Sequence, residues 1–359
     1  MKIVLATGIY PPEIGGPATY VEKLAHRLNA RGVDVSVLAY GEQDPQTVPF
    51  PVTRVSRKGG MVVRWLRYSK MLRRASDEAD IVYAFSSVSA GVPLWLSKLK
   101  HPRKVLRLGG DFLWERYTDG GGLLSLRDWY DTKPKYQGMM NGLLKSFDHI
   151  VFSTEFQEHL YEKVYSGLPL HHVIENALPS GSPVLHAKHD PLKLLYLGRF
   201  VGFKNLGSLF LAMKELPGAT LTMVGEGPLE KQLRDLSVSE GIADRIIFRP
   251  SQDGHAKQQT FLSHDLLVLP SFTEISPNTA LEARSNGLPV LLTEETGLSN
   301  KMSDAMQLRS LRSPRDIVNA IHEMENLYPV IAERTASTLP ERSWDHVADE
   351  HLSFFQSLL

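Results

Sequence analysis

One pattern constrains this chain more than any other: a short apolar run, a glycine-bearing loop and an amphipathic stretch alternate along it, and the series starts afresh halfway through. Residues 2–7 (KIVLAT) read as a buried strand ending in a Gly/Pro loop. Over residues 18–31, Tyr20, Val21, Leu24, Ala25 and Leu28 recur at helical spacing, Gly32 stops the helix, and 33–39 (VDVSVLA) reads as the next strand. Strand, loop, helix, strand is a βαβ unit, and its crossover makes the strands parallel. Further strands are predicted at 80–84, 104–108 and 149–153. Around 179–191 (PSGSPVLHAKHDP) the periodicity fails and Pro, small and polar residues accumulate, as in an interdomain linker. Beyond it, strands are predicted at 193–197, 220–224, 245–248, 265–269 and 289–293, with helices at 205–215 and 229–240 between them. Residues 344–359 read as a last helix with Val347, Leu352 and Phe355 on one side, packing back on the first domain.

The expected fold class is therefore α/β, with two Rossmann-like domains facing each other across a cleft. Domain 1 is expected at 1–180 with 345–359 returning to it, and domain 2 at 190–344. The 359 residues are enough for two domains of ~100–200 residues, each with its own core. Cysteine is absent, which excludes disulfides, thiolate catalysis and cysteine metal sites and fits a reducing compartment. The N-terminal apolar run leads into Pro and Gly rather than a cleavage site, and no run of ~18 apolar residues exists, so a cytoplasmic protein is expected. The 13 histidines include no H-E-x-x-H pattern, and no metal site is expected. The net charge of zero hides an asymmetry: residues 1–185 carry 23 Lys+Arg against 18 Asp+Glu, and the remainder 17 against 22. Such a balance suits a first lobe that faces something anionic.

In open α/β sheets, ligands sit beyond the carboxyl ends of the strands, so the loops there are weighed first. Residues 8–17 (GIYPPEIGGP) lead into a helix whose N-terminal amides could meet phosphate, with Gly15 and Gly16 allowing close approach. A tight turn explains the same glycines, and the spacing matches neither the dinucleotide fingerprint nor the P-loop. Residues 198–205 (GRFVGFKN) hold Arg199 and Lys204, two cations able to converge on a diphosphate or to sit solvated on the surface. Gly225 and Gly227 in GEGP permit close backbone approach to a ring or phosphate, or a simple turn. Most weight falls on residues 266–292. There Ser276–Pro277 reads as an N-cap followed by Pro at the first helical position, with Glu274 in the preceding loop and Glu282 on the second helical turn. Carboxylates so held can accept hydrogen bonds from vicinal hydroxyls of a ribose and a sugar.

Together, Gly15–Gly16, GRFVGFKN, MVGEGP and the E-x7-E pair Glu274/Glu282, closed by the tryptophan-led segment SWDHVADEHL, resemble the retaining GT-B glycosyltransferases of family 4. The resemblance spans nearly the whole chain. It implies transfer of a sugar from a nucleotide diphosphate sugar, bound by the second domain, to a hydroxyl acceptor at the first, in glycan, glycolipid or envelope polysaccharide synthesis. By that resemblance the amides at Gly15 and Gly16 with Arg199 and Lys204 bind the diphosphate, Glu274 holds the donor sugar and Glu282 the ribose. Departure of the diphosphate is met by electrostatics without a metal or other cofactor. Where many relatives carry a histidine, this chain reads LRLGGDFLWE, making Asp111 the polar candidate, with a turn-capping role as the alternative. Asn176 resembles the family's Asn before the linker, in a hinge role.

Residues 57–74 (RKGGMVVRWLRYSKMLRR) contain seven Arg or Lys and no acid. Val62, Trp65, Leu66, Met71 and Leu72 form a stripe that could lie on an anionic membrane, peripheral on its inner face, as a lipid-linked acceptor would explain. The same stripe could be buried in the first lobe. Nucleic acid is not an expected partner. Alternative functions are a nucleotide-sugar epimerase of this fold and a two-lobed binding protein without turnover. A glycosidase ranks last, since its carboxylates must flank a scissile bond at about 5–9.5 Å.

Overall fold

The structure, a computed structural model, describes residues 1–42, 47–179, 181–337 and 341–359. Ser180, in the expected linker, lies outside the described residues. Two parallel sheets organise the chain. The first contains β1 (Lys2–Thr7), β2 (Asp34–Tyr40), β3 (Val52–Val55), β4 (Ile81–Phe85), β5 (Arg103–Leu108), β6 (His149–Phe152) and β7 (Leu170–Val173) in the order 3-2-1-4-5-6-7. The second contains β8 (Leu192–Leu197), β9 (Ala219–Val224), β10 (Ile246–Arg249), β11 (Leu266–Leu269), β12 (Val290–Thr293) and β13 (Gln307–Arg309) in the order 10-9-8-11-12-13. Both are thus the doubly wound arrangement expected from the alternation, each reversing direction beside its first strand.

The central strands are buried on both faces, which is why they read as unbroken apolar runs: all five residues of β4 and all four of β11 and β12 are buried. The edge strands β3, β7 and β13 were not expected. They are short and mostly half-exposed, so neither an apolar run nor an alternation marks them.

The chain forms two compact units, and neither is continuous. The first comprises Met1–Phe112, Lys133–Ala177 and Arg342–Leu359; the second comprises Leu113–Thr132 and Leu178–Glu341. The expected domain 1, residues 1–180, is therefore interrupted: Leu113–Thr132 groups with the second unit. The helix Trp344–Ser357 packs in the first unit, where Phe355 meets the ring of Tyr83 at 5.4 Å and Trp344 that of Tyr20 at 5.0 Å. Ser343 caps this helix, and Arg342, just before it, donates to Glu350 and to the carbonyls of Glu175 and Asn176. Among the described residues no helix is long and apolar enough to cross a membrane.

The basic stretch forms the helix Met61–Ala75. Its inner face is set by Tyr68, Ser69 and Leu72, and the Tyr68 hydroxyl donates to the carbonyls of Thr7 and Leu38 at 3.0 and 2.6 Å. The expected stripe is split: Leu72 is buried and Trp65 and Met71 are half-buried, while Val62 and Leu66 are exposed, as are Met61 and Val63 beside them in the first turn.

Candidate active site

In the first unit, the loop after β1 is bound to the strand edge by two arginines. Arg54 donates to the carbonyls of Tyr10 and Pro11; Arg57 donates to that of Gly8 and pairs with Glu13. The helix Gly16–Ala30 starts two residues earlier than expected, with Gly15 as its N-cap, Pro17 in its first turn and no side-chain cap. Its first amides are therefore not occupied by a capping side chain. Asp111 is 2% exposed and accepts a hydrogen bond of 2.8 Å from Tyr161. It is an anchored buried carboxylate of the first unit. Asn176 is equally fixed: its side chain accepts from Arg107 at 2.9 Å and its carbonyl from Arg342.

In the second unit the sheet reverses direction between β8 and β11, and the loops leaving these two strands are GRFVGFKN and PSFTEISP. The amide of Phe272 donates to Phe203 O at 2.9 Å, joining the loops directly. On this frame Lys204 Nζ lies 2.5 Å from Glu274 Oε1, which also accepts from Ser271 Oγ at 2.5 Å. The backbone of Glu274 is held on both sides, its amide donating to Glu295 O and its carbonyl accepting from Gly297. Burial, with a smaller contribution from the Glu274 carboxylate, raises the Tyr196 hydroxyl well above its ordinary pKa. Tyr196 in turn donates to Arg199 O at 2.8 Å and shapes the loop.

The two cations expected to converge have different surroundings. Lys204 is paired and largely buried, whereas Arg199 is exposed and makes no ion pair among the described residues. The N-cap expectation is also corrected: the helix Asn278–Ser285 has Pro277 in the cap position and no side-chain cap. Glu282 stands on its second turn as expected and pairs with Lys257 of the helix Gly254–Leu262, a partner missed in the sequence because Lys257 belongs to no motif. The close approach allowed by Gly225 and Gly227 is to the chain itself. A Cβ on Gly225 would stand 2.0 Å from Gly198 O, and one on Gly227 would stand 2.4 Å from Phe200 O. Phe200 and Glu226 are bonded N–H to carbonyl at 2.9 Å, so GEGP supports GRFVGFKN from behind.

Comparison with known proteins bears on both halves. Residues 15–176 match the family described as "Glycosyl transferase 4-like domain", and 182–327 match "Glycosyl transferases group 1". An uncharacterized glycosyltransferase of Methanocaldococcus jannaschii is 23% identical over 325 residues, 83% of this chain and 82% of that protein. Among solved structures, the sucrose-phosphate synthase of Thermosynechococcus elongatus aligns with a TM-score of 0.84 at 18% identity over 99% of this chain and 98% of that one. HepE of Anabaena, in complex with UDP and glucose, aligns with a TM-score of 0.74 at 16% identity over 99% and 100%. The two-sheet architecture is that of the GT-B glycosyltransferases.

Proposed function

The chain belongs to the group 1 glycosyltransferases, and from that premise we propose that it moves a sugar from a nucleotide diphosphate sugar to a hydroxyl acceptor with retention of anomeric configuration and without a metal. The observation that carries the donor assignment is the Lys204–Glu274 pair, set where the second sheet reverses direction. Ligands of doubly wound sheets bind at that position. A diphosphate arriving there meets Lys204 and the exposed Arg199, whose charges stabilise the negative charge that develops as the sugar departs. The carboxylate of Glu274 is positioned to accept hydrogen bonds from the donor sugar, and that of Glu282 from the ribose. In the first unit the uncapped amides at Gly15 and Gly16 offer further donors to phosphate. HepE, of the same fold, binds UDP and glucose, which favours a nucleotide-linked donor here.

We further propose that the enzyme works peripherally on an anionic membrane surface facing the cytoplasm, where the acceptor is lipid-linked. The first turns of the helix Met61–Ala75 show Met61, Val62, Val63 and Leu66, each more than half exposed, followed by the exposed cations Lys70, Arg73 and Arg74. Trp95, 53% exposed, stands on the neighbouring helix Val92–Ser97, followed by Lys98 and Lys100. An apolar patch followed by cations with no acid among them has the chemistry of an interfacial surface.

Thermal stability with UDP, GDP, ADP and their sugar conjugates, with and without EDTA, tests the donor assignment. One nucleotide should raise the melting temperature of the wild type by about RT ln(1 + [L]/Kd), regardless of EDTA, and fail on Glu282→Ala. No shift at millimolar concentrations sinks the assignment. Product analysis then separates transfer from epimerisation of the donor, and the anomeric configuration of the product tests retention.

A further inference from the structure

The segment Leu113–Thr132 follows β5 in the sequence but belongs to the second unit, and it touches both loops there that carry Lys204 and Glu274. Trp114 is 2% exposed and its ring lies 5.3 Å from that of Phe203, whose other neighbour is Lys204 Nζ, 4.7 Å from the same ring. One residue earlier, Gly202 is pressed against the segment so closely that a Cβ there would stand 2.2 Å from Thr118 O, and its amide donates to Asp119 Oδ1 at 3.3 Å. On the second loop, the amide of Leu126 donates to Thr273 Oγ1 at 2.9 Å, immediately before Glu274. Asp128 and Arg127 extend the contact to Arg312 and Glu295, and Glu295 holds the Glu274 amide.

We propose that Leu113–Thr132 is a positioning element of the donor site, with Trp114 and the Leu126–Thr273 bond fixing the Lys204–Glu274 pair where the diphosphate and donor sugar bind. The inference rests on the donor assignment above and deepens it. Its physical basis is that a flexible lysine chain and a loop carboxylate keep a defined separation only when the backbone beneath each is held. Trp114 acts on Lys204 through the face of Phe203, where a cation above an aromatic ring is itself attracted. Thr273 acts on Glu274 through the chain. Neither reaches Glu282, which is fixed separately by Lys257. The element therefore governs recognition of the diphosphate and sugar and leaves recognition of the nucleoside alone.

Calorimetric titration of the full-length protein with a nucleoside monophosphate, the diphosphate and its glucose conjugate tests this, using whichever of the uridine, guanosine and adenosine series binds the wild type. Trp114→Ala is expected to weaken the diphosphate and diphosphate-sugar by about tenfold or more while leaving the monophosphate within about twofold; Trp114→Phe should restore most of the loss. Thr273→Val, nearly isosteric but unable to accept the Leu126 amide, should repeat the selective loss more weakly, and it decides the question if Trp114→Ala does not fold. Equal weakening of all three ligands, or none in either variant, overturns the inference. A wild type that binds no member of any series overturns the donor assignment itself, and this inference with it.

Discussion

Lys204 and Glu274, seventy residues apart in sequence, form an ion pair of 2.5 Å whose side chains are 16% and 6% exposed. Removing one charge leaves the other largely desolvated, so Lys204→Met should cost about 3 kcal/mol of stability. The double variant Lys204→Met/Glu274→Leu should recover part of that loss while remaining unable to bind a nucleotide sugar. Urea unfolding of the three proteins separates the two effects. Full recovery of binding in the double variant would remove the pair from the donor site.

Gly225 and Gly15 give opposite expectations. Gly225 has φ of +139° and faces Gly198 O at a distance no Cβ tolerates, so Gly225→Ala should destabilise by about 3 kcal/mol. A Cβ on Gly15 meets only the terminal Cδ1 of Ile9, at 2.7 Å, which can turn away. Gly15→Ala should stay within about 1 kcal/mol of wild type in thermal melts yet weaken the nucleotide diphosphate sugar. A normal affinity would assign Gly15 to turn geometry alone.

His351 makes the attachment of the last helix sensitive to acid. It is fully buried, its Nδ1 donates to Val347 O and its Nε2 accepts from Tyr83, so a second proton would have to displace the Tyr83 hydrogen. Burial, aided by the charge of Arg107, lowers its pKa from 6.5 to about 3. The unfolded chain takes up a proton below 6.5 and the folded chain does not until about 3, so stability falls as pH drops through that window, by roughly 1 kcal/mol at pH 5.5. His149 and His172, also lowered mainly by burial, act in the same direction. His351→Leu should reduce the slope of melting temperature against pH between 5.5 and 7.5. An unchanged slope would dismiss His351 as its source.

For the membrane reading, vesicles containing phosphatidylserine should co-sediment the wild type, and neutralising Lys70 and Arg74 together should weaken binding about 30-fold at roughly 1 kcal/mol per charge. Val62→Glu with Leu66→Glu should abolish it. These residues are exposed, so melting temperature should hardly change. Retention of binding in both variants would leave the patch without this role.

What could be read from the residues was decided by burial and by sequence distance. The strands flanking each point of reversal were legible because both faces are covered, and their limits shifted by only a residue or so: 265–269 became Leu266–Leu269 and 80–84 became Ile81–Phe85. The edge strands β3, β7 and β13 escaped because they present half-exposed mixtures of few residues. The placement of Glu274 in a loop and of Glu282 on the second turn of the following helix was legible from the strand–loop–helix pattern. The engagement of Lys204 by Glu274 and of Glu282 by Lys257 was not, because each joins loops or helices that are neighbours only after the sheet has formed. The outward turn of Leu66 likewise depends on which side of the helix Tyr68 anchors.

The grouping of Arg342–Leu359 with the first sheet has a consequence for how the protein is made. A chain emerges from the ribosome from its N-terminus, and domains fold as their residues become available. The core around Tyr20 and Tyr83 lacks Val347, Ala348 and Phe355 until more than 340 residues have been polymerised. The second sheet has all its strands by Arg309. The half that is translated first is thus the half completed last, and during synthesis its apolar surface around Tyr20 and Tyr83 waits in the open for the helix that covers it.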